Sequence, residues 1–299
     1  MKRPEHEQRI PAPLGHIEPH APMLRIPPED QLLYKVVTVE NLLRSVTGNY
    51  LHFNRVDSYS DFPNADPNDG RQLPKDHPAN AAARFAKAPD YSAAHYYDQS
   101  RGRTYACCLS VENSDFIWRN YANGSEKGKV CVVFEFGKLR AMLNHTLAPG
   151  NAALQYEGNR CHQIFSINYG LVDYVKWEDH QTNERYLSNP ILYTYLKDAA
   201  GFSDEKELRI SLSAIGIGQF ALNDGSMIQF PQSLQLAFDF RAAIATAAIR
   251  QILLAPDSDS GFLTRELAKL RIEPVQESAT LRRRTHHSTG PARKAAQVL

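Results

Sequence analysis

The chain has 299 residues, with 34 Lys and Arg against 33 Asp and Glu and an apolar content of 42%, which supplies a packed core and excludes a disordered or fibrous protein. Residues 281–299 hold five basic residues (Arg282, Arg283, Arg284, Arg293, Lys294) and no acid, so the formal +1 of the whole becomes −4 without them. Nucleic-acid binding through a broad basic surface on the body is therefore not indicated. No apolar run approaches the ~20 residues of a membrane span, and no secretory signal is present, so the expected compartment is cytoplasmic and no membrane partner is expected. Cysteines 107, 108, 131 and 161 lack the spacing of a zinc site and read as small core hydrophobes.

Residues 1–29 carry seven prolines and predict a flexible N-terminal arm. Leu32–Val37 predicts a strand. A helix then opens at Thr38 or Glu40, with Val39, Leu42, Leu43 and Val46 on one face, and stops at Gly48-Asn49. Tyr50–Asn54 is a second strand and 57–80 a loop. The acids and amides of that loop invite a calcium reading, but a loop beginning at Asn64 needs Gly at Asp69 and Glu at Lys75; a turn region is the better account. Ala79–Asp98 predicts one surface helix within a helical insertion at 71–103. Thr104–Ser110 is a third strand, Asp115–Tyr121 a short helix, and Lys129–Phe136 a central strand with a helix behind it through Leu143. Ile164–Lys176 gives one or two strands and Asn183–Ala199 a helix. Arg250–Ala255 and Ile272–Glu277 bracket a helix at 259–270, which suggests a parallel or mixed edge. Elements this interspersed, without a strict βαβ rhythm, predict an α+β fold: a single mixed-sheet domain with flanking helices over 30–280, then a basic disordered tail at 281–299.

The segment Phe202–Ser213 is the most informative. Glu205, Glu207, Arg209, Ser211 and Ser213 share one face of a strand, and Lys206, Leu208, Ile210, Leu212 and Ala214 the other. This predicts a half-buried strand whose polar face either meets water or lines a site. Two carboxylates so close repel, which raises one pKa, while Arg209 lowers the other. Other candidates are Tyr34 and Lys35 on the first strand, His52 and Asn54 sharing a face of the second, and Trp118 and Tyr121 at i and i+3 of a short helix. Glu135, if buried, needs a partner, and Arg55 or Lys176 could serve. His286-His287 has no second ligand pair nearby. No phosphate-binding GxxxxGK[ST], dinucleotide GxGxxG, GxSxG elbow or HExxH is present, which disfavours NTPase, Rossmann oxidoreductase and serine-hydrolase readings.

The order of short motifs resembles the family numbered 2971 among the domains of unknown function. The matching pieces are Leu33-Tyr-Lys35, Leu51-His-Phe-Asn-Arg-Val-Asp57 leading to Asp61, and Trp118-x-x-Tyr121. Val130–Phe136, Val172-Asp-Tyr174, Phe202–Arg209 and Ile252-Leu-Leu-Ala-Pro256 follow, within residues 30–283. The chain departs from the family at Asp61-Phe-Pro63, where the usual order is Asp-Pro-Phe. The order of elements is in turn similar to the ADP-ribosyltransferase fold and its split sheet. That resemblance implies NAD as co-substrate, with no metal, and Glu207 as catalytic carboxylate beside the nicotinamide ribose. Glu205 would orient or activate an acceptor, either protein or nucleic acid. Tyr34, Lys35, His52, Asn54, Trp118, Tyr121 and Arg209 become cofactor-binding candidates, and a toxin or defence role is what such an activity could serve. Where that fold places His or Arg on its first strand, this chain has Lys35, a point charge without the guanidinium fork. Two alternatives stay open: a non-catalytic protein or nucleic-acid binding module, and a metal-dependent hydrolase or nuclease built on Glu205, Glu207 and Asp61.

Overall fold

The computed structural model describes residues 16–61, 65–147, 154–161, 165–182, 190–214, 219–222, 224–256 and 258–272. Strand β1 (Leu32–Thr38) runs into α1 (Val39–Gly48). Thr38 accepts the Asn41 N–H at the N-cap, and Asn49 ends the helix in the left-handed conformation at φ 50°. Then come β2 (Tyr50–Arg55), α2 (His77–Ala82), α3 (Ala93–Arg101) and β3 (Thr104–Ser110). Next are α4 (Asp115–Asn120), β4 (Lys129–Glu135), α5 (Phe136–Leu147), β5 (Phe165–Leu171) and β6 (Asp173–Val175). The last elements are β7 (Leu196–Asp198), α6 (Ala199–Phe202), β8 (Glu207–Ala214), β9 (Ser233–Ala237), α7 (Phe240–Ala245), β10 (Ile249–Leu254) and α8 (Ser260–Lys269).

The expected α+β class holds: helices flank one large, mostly antiparallel sheet. Its centre runs β5-β8-β3-β2-β9. On its far edge β3 is shared between two strands. Tyr105 and Ala106 face Arg55 and Asn54 of β2, whereas Ser110 faces Tyr34 of β1. From there the sheet forks, with β1 continuing into β4 and β10. The other edge of β3 pairs with β8 along its length, setting Ser110 opposite Glu207 and Cys108 opposite Arg209.

One face of this sheet carries the main core. Leu33, Leu51, Phe53, Cys107, Leu109, Leu208, Ile210 and Leu212 pack there against Leu42 and Val46 of α1, Leu139 and Leu143 of α5, Phe240 of α7 and Leu263 of α8. The opposite face of β8 is also covered, by Asp69 of the loop before α2 and by Thr194, Tyr195 and Lys197, so Glu207, Arg209 and Ser211 are buried. The expected half-buried strand is therefore buried on both faces. Alternation reports that polar residues share a side; it does not report whether other chain segments roof that side over.

Several elements depart from expectation. Residues 79–98 are not one helix: α2 and α3 are separated by a hairpin of Arg84–Phe85 and Ala88–Ser92. Pro89 denies that stretch a helical N–H and its ring would clash with the preceding turn. The predicted helix 183–199 is a 3₁₀ segment at Pro190–Tyr195 followed by β7, which pairs in parallel with β6; residues 183–189 lie outside the described set. Pro190 and the aromatic and β-branched run after it favour that outcome. Strand β10 runs antiparallel to β4; the strand expected to follow α8 and form the parallel or mixed edge lies beyond Ile272, outside the described residues. Part of the expected flexible arm is docked: His16–Ile17 adds in parallel to β5, and Leu24 packs on Ile191, Leu192 and Tyr195. Glu135 pairs with Arg250 and with Lys138 at 3.3 Å, not with Arg55 or Lys176. The strand predicted at 272–277 beyond Ile272, the tail 281–299 and His286-His287 lie outside the described residues.

Gly128 joins the loop after α4 to β4 at φ +89°, and a Cβ there would meet the Ser258 Cα at 2.5 Å. Both the dihedral and the backbone contact forbid a side chain, so Gly128→Ala should destabilise the fold by more than about 1 kcal/mol, read as a lower midpoint in urea unfolding.

Candidate active site

Four segments meet on the covered polar face of β8. The first is the loop before α2. Asp66 accepts the Asn68 N–H at 2.8 Å in an Asx turn, and Gly70 takes φ +70°, which a residue with a Cβ adopts only with strain. The turn delivers Asp69 into the interior. The second is β7, where Lys197 sits beside Tyr174 of β6 in the parallel register. The third is β8 itself with the turn before it. The fourth is Tyr121, just past α4.

Arg209 organises the cluster and has no exposed surface. Nε donates to Glu207 Oε1 at 2.8 Å and Nη2 to Glu207 Oε2 at 3.2 Å. Nη1 and Nη2 hold Asp69 bidentately at 2.6 and 2.9 Å, and Nη1 also donates to the Thr194 carbonyl at 2.6 Å. All five guanidinium N–H groups are thus engaged. No donor is left over for a cofactor phosphate, so Arg209 positions Glu207 rather than meeting a ligand.

Lys197 bridges the two glutamates, at 2.6 Å from Glu205 Oε2 and 3.0 Å from Glu207 Oε2, and lies 3.8 Å from Asp69. Glu205 does not belong to the strand, as the alternation suggested. It ends a 3₁₀ turn (Ser203–Glu205), and Lys206 at φ 47° makes the bend into β8. Its other oxygen accepts from the Tyr121 hydroxyl at 2.5 Å. The Glu207 N–H donates to the Tyr174 hydroxyl at 2.9 Å.

Burial alone would raise the Glu207 carboxyl, but Arg209, and after it Lys197, hold it far below the ordinary value of 4.5. Glu205 moves the other way: burial raises it, Lys197 opposes, and the neighbouring Glu207 charge raises it further. The split expected from the sequence is present. Three carboxylates (Asp69, Glu205, Glu207) meet two cations (Lys197, Arg209) in direct ion pairs, and Lys35 is a further cation on which the Glu207 charge acts.

The remaining candidates divide. Lys35 Nζ donates to the Cys108 carbonyl at 3.1 Å, beside the fork where β3 exchanges β2 for β1. Glu207 raises the Lys35 pKa, behind the larger effects of burial, which lowers it, and the Cys107 and Cys108 thiols. Tyr34 joins Cys131, Val133, Leu253 and Trp118 in a small apolar cluster, so both aromatics pack rather than line the carboxylate site. Trp118 and Tyr121 do not share a helix face. α4 ends at Asn120, Tyr121 is extended, and Trp118 donates instead to Asn113 at 2.8 Å. His52 and Asn54 bond each other at 2.9 Å on β2. The side chain of Asp61 lies outside the described residues. All four cysteines are free, and Cys108 lies at the site, its Sγ 3.4 Å from the Tyr59 hydroxyl.

Sequence reasoning missed Asp69, Lys197 and Tyr174. Asp69 was visible only as one acid in a loop of acids and amides, and Lys197 fell inside a predicted helix. Val172-Asp-Tyr174 carried a signal through the family resemblance, without a role.

A scan against protein-family models gives no match, and neither does a search of curated proteins. Among solved structures, a chain described as Thermus sp. 2.9 DarT in complex with ADP-ribosylated ssDNA is similar at 11% identity and a TM-score of 0.29, covering 85% of this chain and 96% of that one. A likeness at that score does not establish a shared fold. No helix among the described residues is long and apolar enough to cross a membrane.

Removing one partner of a buried ion pair strands the other charge. Asp69→Ala should therefore cost about 3–5 kcal/mol in denaturant unfolding. Because the folded pKa of Glu207 is depressed, its contribution is present above the ordinary glutamate value of 4.5 and is lost as pH falls through the lower folded value. Stability measured against pH should decline below about 4.5 in the parent and decline less steeply in Glu207→Gln.

Proposed function

We propose that this protein is an ADP-ribosyltransferase that uses NAD as co-substrate and the Glu205–Glu207 pair as its reactive carboxylates. One observation carries the reading: beside the fork of the sheet, the buried Glu207 carboxylate is ion-paired with Arg209 and with Lys197, and the Lys197 ammonium is shared with Glu205. Such a site opposes the positive charge that grows on a ribose as its glycosidic bond lengthens. The C1′–N bond of NAD breaks, nicotinamide leaves with the bonding electrons, and an acceptor lone pair closes on C1′. Glu207 faces the oxocarbenium. A carboxylate offers roughly four acceptor positions; the two cations take three of those on Glu207 and the Cys108 thiol is a further hydrogen-bond partner, so a ribose hydroxyl takes the place of that weak donor. Glu205, with its raised pKa, receives the acceptor's proton.

Glu207 is only 4% exposed, whereas Tyr121 is 38% exposed with its hydroxyl turned inward onto Glu205. Tyr121 is therefore the group whose displacement admits substrate in this reading. The metal-dependent alternative fits less well, because the Lys197 ammonium already occupies the space between the two glutamates that a bridging cation would need.

The decisive measurement is nicotinamide release and label transfer from labelled NAD, with cell lysate as the source of acceptor. The parent should release nicotinamide, Glu207→Gln should lose at least about 100-fold, and Tyr121→Phe should fold normally while losing less. Circular dichroism on each variant separates lost chemistry from lost fold. A parent that neither releases nicotinamide nor transfers label overturns the proposal in favour of a non-catalytic module.

A further inference from the structure

Val172-Asp-Tyr174 holds the main chain of Glu207 by both of its polar groups. The Val172 N–H donates to the Glu207 carbonyl at 2.9 Å, and the Glu207 N–H donates to the Tyr174 hydroxyl oxygen at 2.9 Å. Tyr174 reaches that position because β6 pairs in parallel with β7, which sets Tyr174 and Lys197 side by side on one face of the pair. Lys197 lies between the two glutamates, so the phenol is held beside them as well. Tyr174 is half-buried, whereas Lys197, Glu205 and Glu207 are buried.

A hydroxyl has one hydrogen to give and two lone pairs that receive. The two tyrosines beside the glutamates use these differently. Tyr121 gives its hydrogen to Glu205 at 2.5 Å. Tyr174 receives the Glu207 N–H, and among the described residues its own hydrogen meets no acceptor. Burial, and after it the Glu207 charge, raise the Tyr174 pKa above the ordinary 10.0, so that hydrogen is retained at neutral pH. Neighbouring donors already have partners: Arg209 uses all five N–H groups, Lys197 bridges both glutamates, and the Cys108 thiol is on Glu207. A ligand at Glu207 therefore meets a carboxylate that accepts and, beside it, a neutral O–H that donates. An ammonium has no lone pair for Tyr174, and a phosphate oxygen is repelled by the carboxylates. A hydroxyl satisfies both groups, because it donates and accepts through one oxygen.

We propose that Tyr174 selects a sugar hydroxyl at this site, its O–H donating to the same ligand oxygen whose hydrogen goes to Glu207. Glu207 faces C1′ of the ribose, so the oxygen is the 2′-hydroxyl on the neighbouring carbon; that identification rests on the transferase reading. The Glu207 N–H keeps its bond to the phenol oxygen while the phenol hydrogen turns to the ligand, so no existing contact is broken. A site that hydrogen-bonds a hydroxyl rejects the analogue lacking it, because its polar groups are then left unpaired. Ligand selection and the placement of the Glu207 backbone thereby share one side chain.

The test is titration calorimetry of the full chain, in the cold and without acceptor, with NAD and with the NAD analogue lacking the 2′-hydroxyl of the nicotinamide ribose. The parent should bind NAD more tightly than the analogue. Tyr174→Phe, which keeps the ring, should weaken NAD binding by about three- to tenfold and leave the affinity for the analogue unchanged. A phenol that only supports the backbone would weaken both ligands alike, so equal losses overturn the proposal. So does NAD binding that Tyr174→Phe leaves unaltered, or a parent that binds no NAD. Replacing Tyr174 with 3-fluorotyrosine keeps the oxygen that holds Glu207 and strengthens the donor. NAD should then bind more tightly and the analogue should not, and no difference between the two overturns the proposal even where Tyr174→Phe does not fold. Nicotinamide followed in the same samples separates the two readings: NAD bound with this discrimination but never cleaved removes the transferase and leaves the hydroxyl selection standing.

Discussion

Arg209 lies wholly inside the protein with each of its five N–H groups committed, and the arrangement around β8 depends on how those five are shared. Two go to Glu207 on the same strand, two to Asp69 from the loop before α2, and one to the Thr194 carbonyl in the 3₁₀ segment before β7. A guanidinium without water is tolerable only when its charge and all its donors are answered. Meeting that requirement draws the loop and the segment at 190–198 over a sheet face that would otherwise meet solvent. The roof over the polar face follows from one buried cation.

The same sharing sets the charge states. With Arg209 and Lys197 both on Glu207, its carboxylate is held ionised inside the fold, while Glu205, with Lys197 and a tyrosine hydroxyl, is pushed upward. Two glutamates two residues apart thus acquire different protonation behaviour from their neighbours rather than from their identity. The bend at Lys206 separates them further, setting one in a turn beneath Tyr121 and the other at the start of the strand.

Around the fork the division of labour between the two sheet faces is strict. Leu208, Ile210 and Leu212 belong to the main core, so the register of β8 cannot slip without placing Arg209 among leucines. The apolar face fixes the strand, and the strand in turn fixes the carboxylates. Lys35, reaching the Cys108 carbonyl where β1 and β2 part, brings a third cation to the same region from the first strand.

Much of the fold was legible in the sequence, because local pattern and tertiary burial agree there. The alternation in β8, the capped helix Val39–Gly48, the strand Thr104–Ser110 and the helix near 260–269 all follow from side-chain period and capping chemistry. Legibility failed where local propensity was overridden. Ala-rich 79–98 breaks into helix, hairpin and helix around Pro89, and 190–198 becomes a 3₁₀ segment at Pro190–Tyr195 and a strand at Leu196–Asp198 that pairs with Asp173–Val175. At the site, Glu205, Glu207 and Arg209 could be named because they are neighbours on one short segment. Asp69 and Lys197 could not, since nothing in the spacing of one chain segment specifies which distant segment will cover it. The sequence by itself determined that three charged side chains would stand together. Only the tertiary structure decided that they would be buried, because the charges that make their burial tolerable come from elsewhere in the chain.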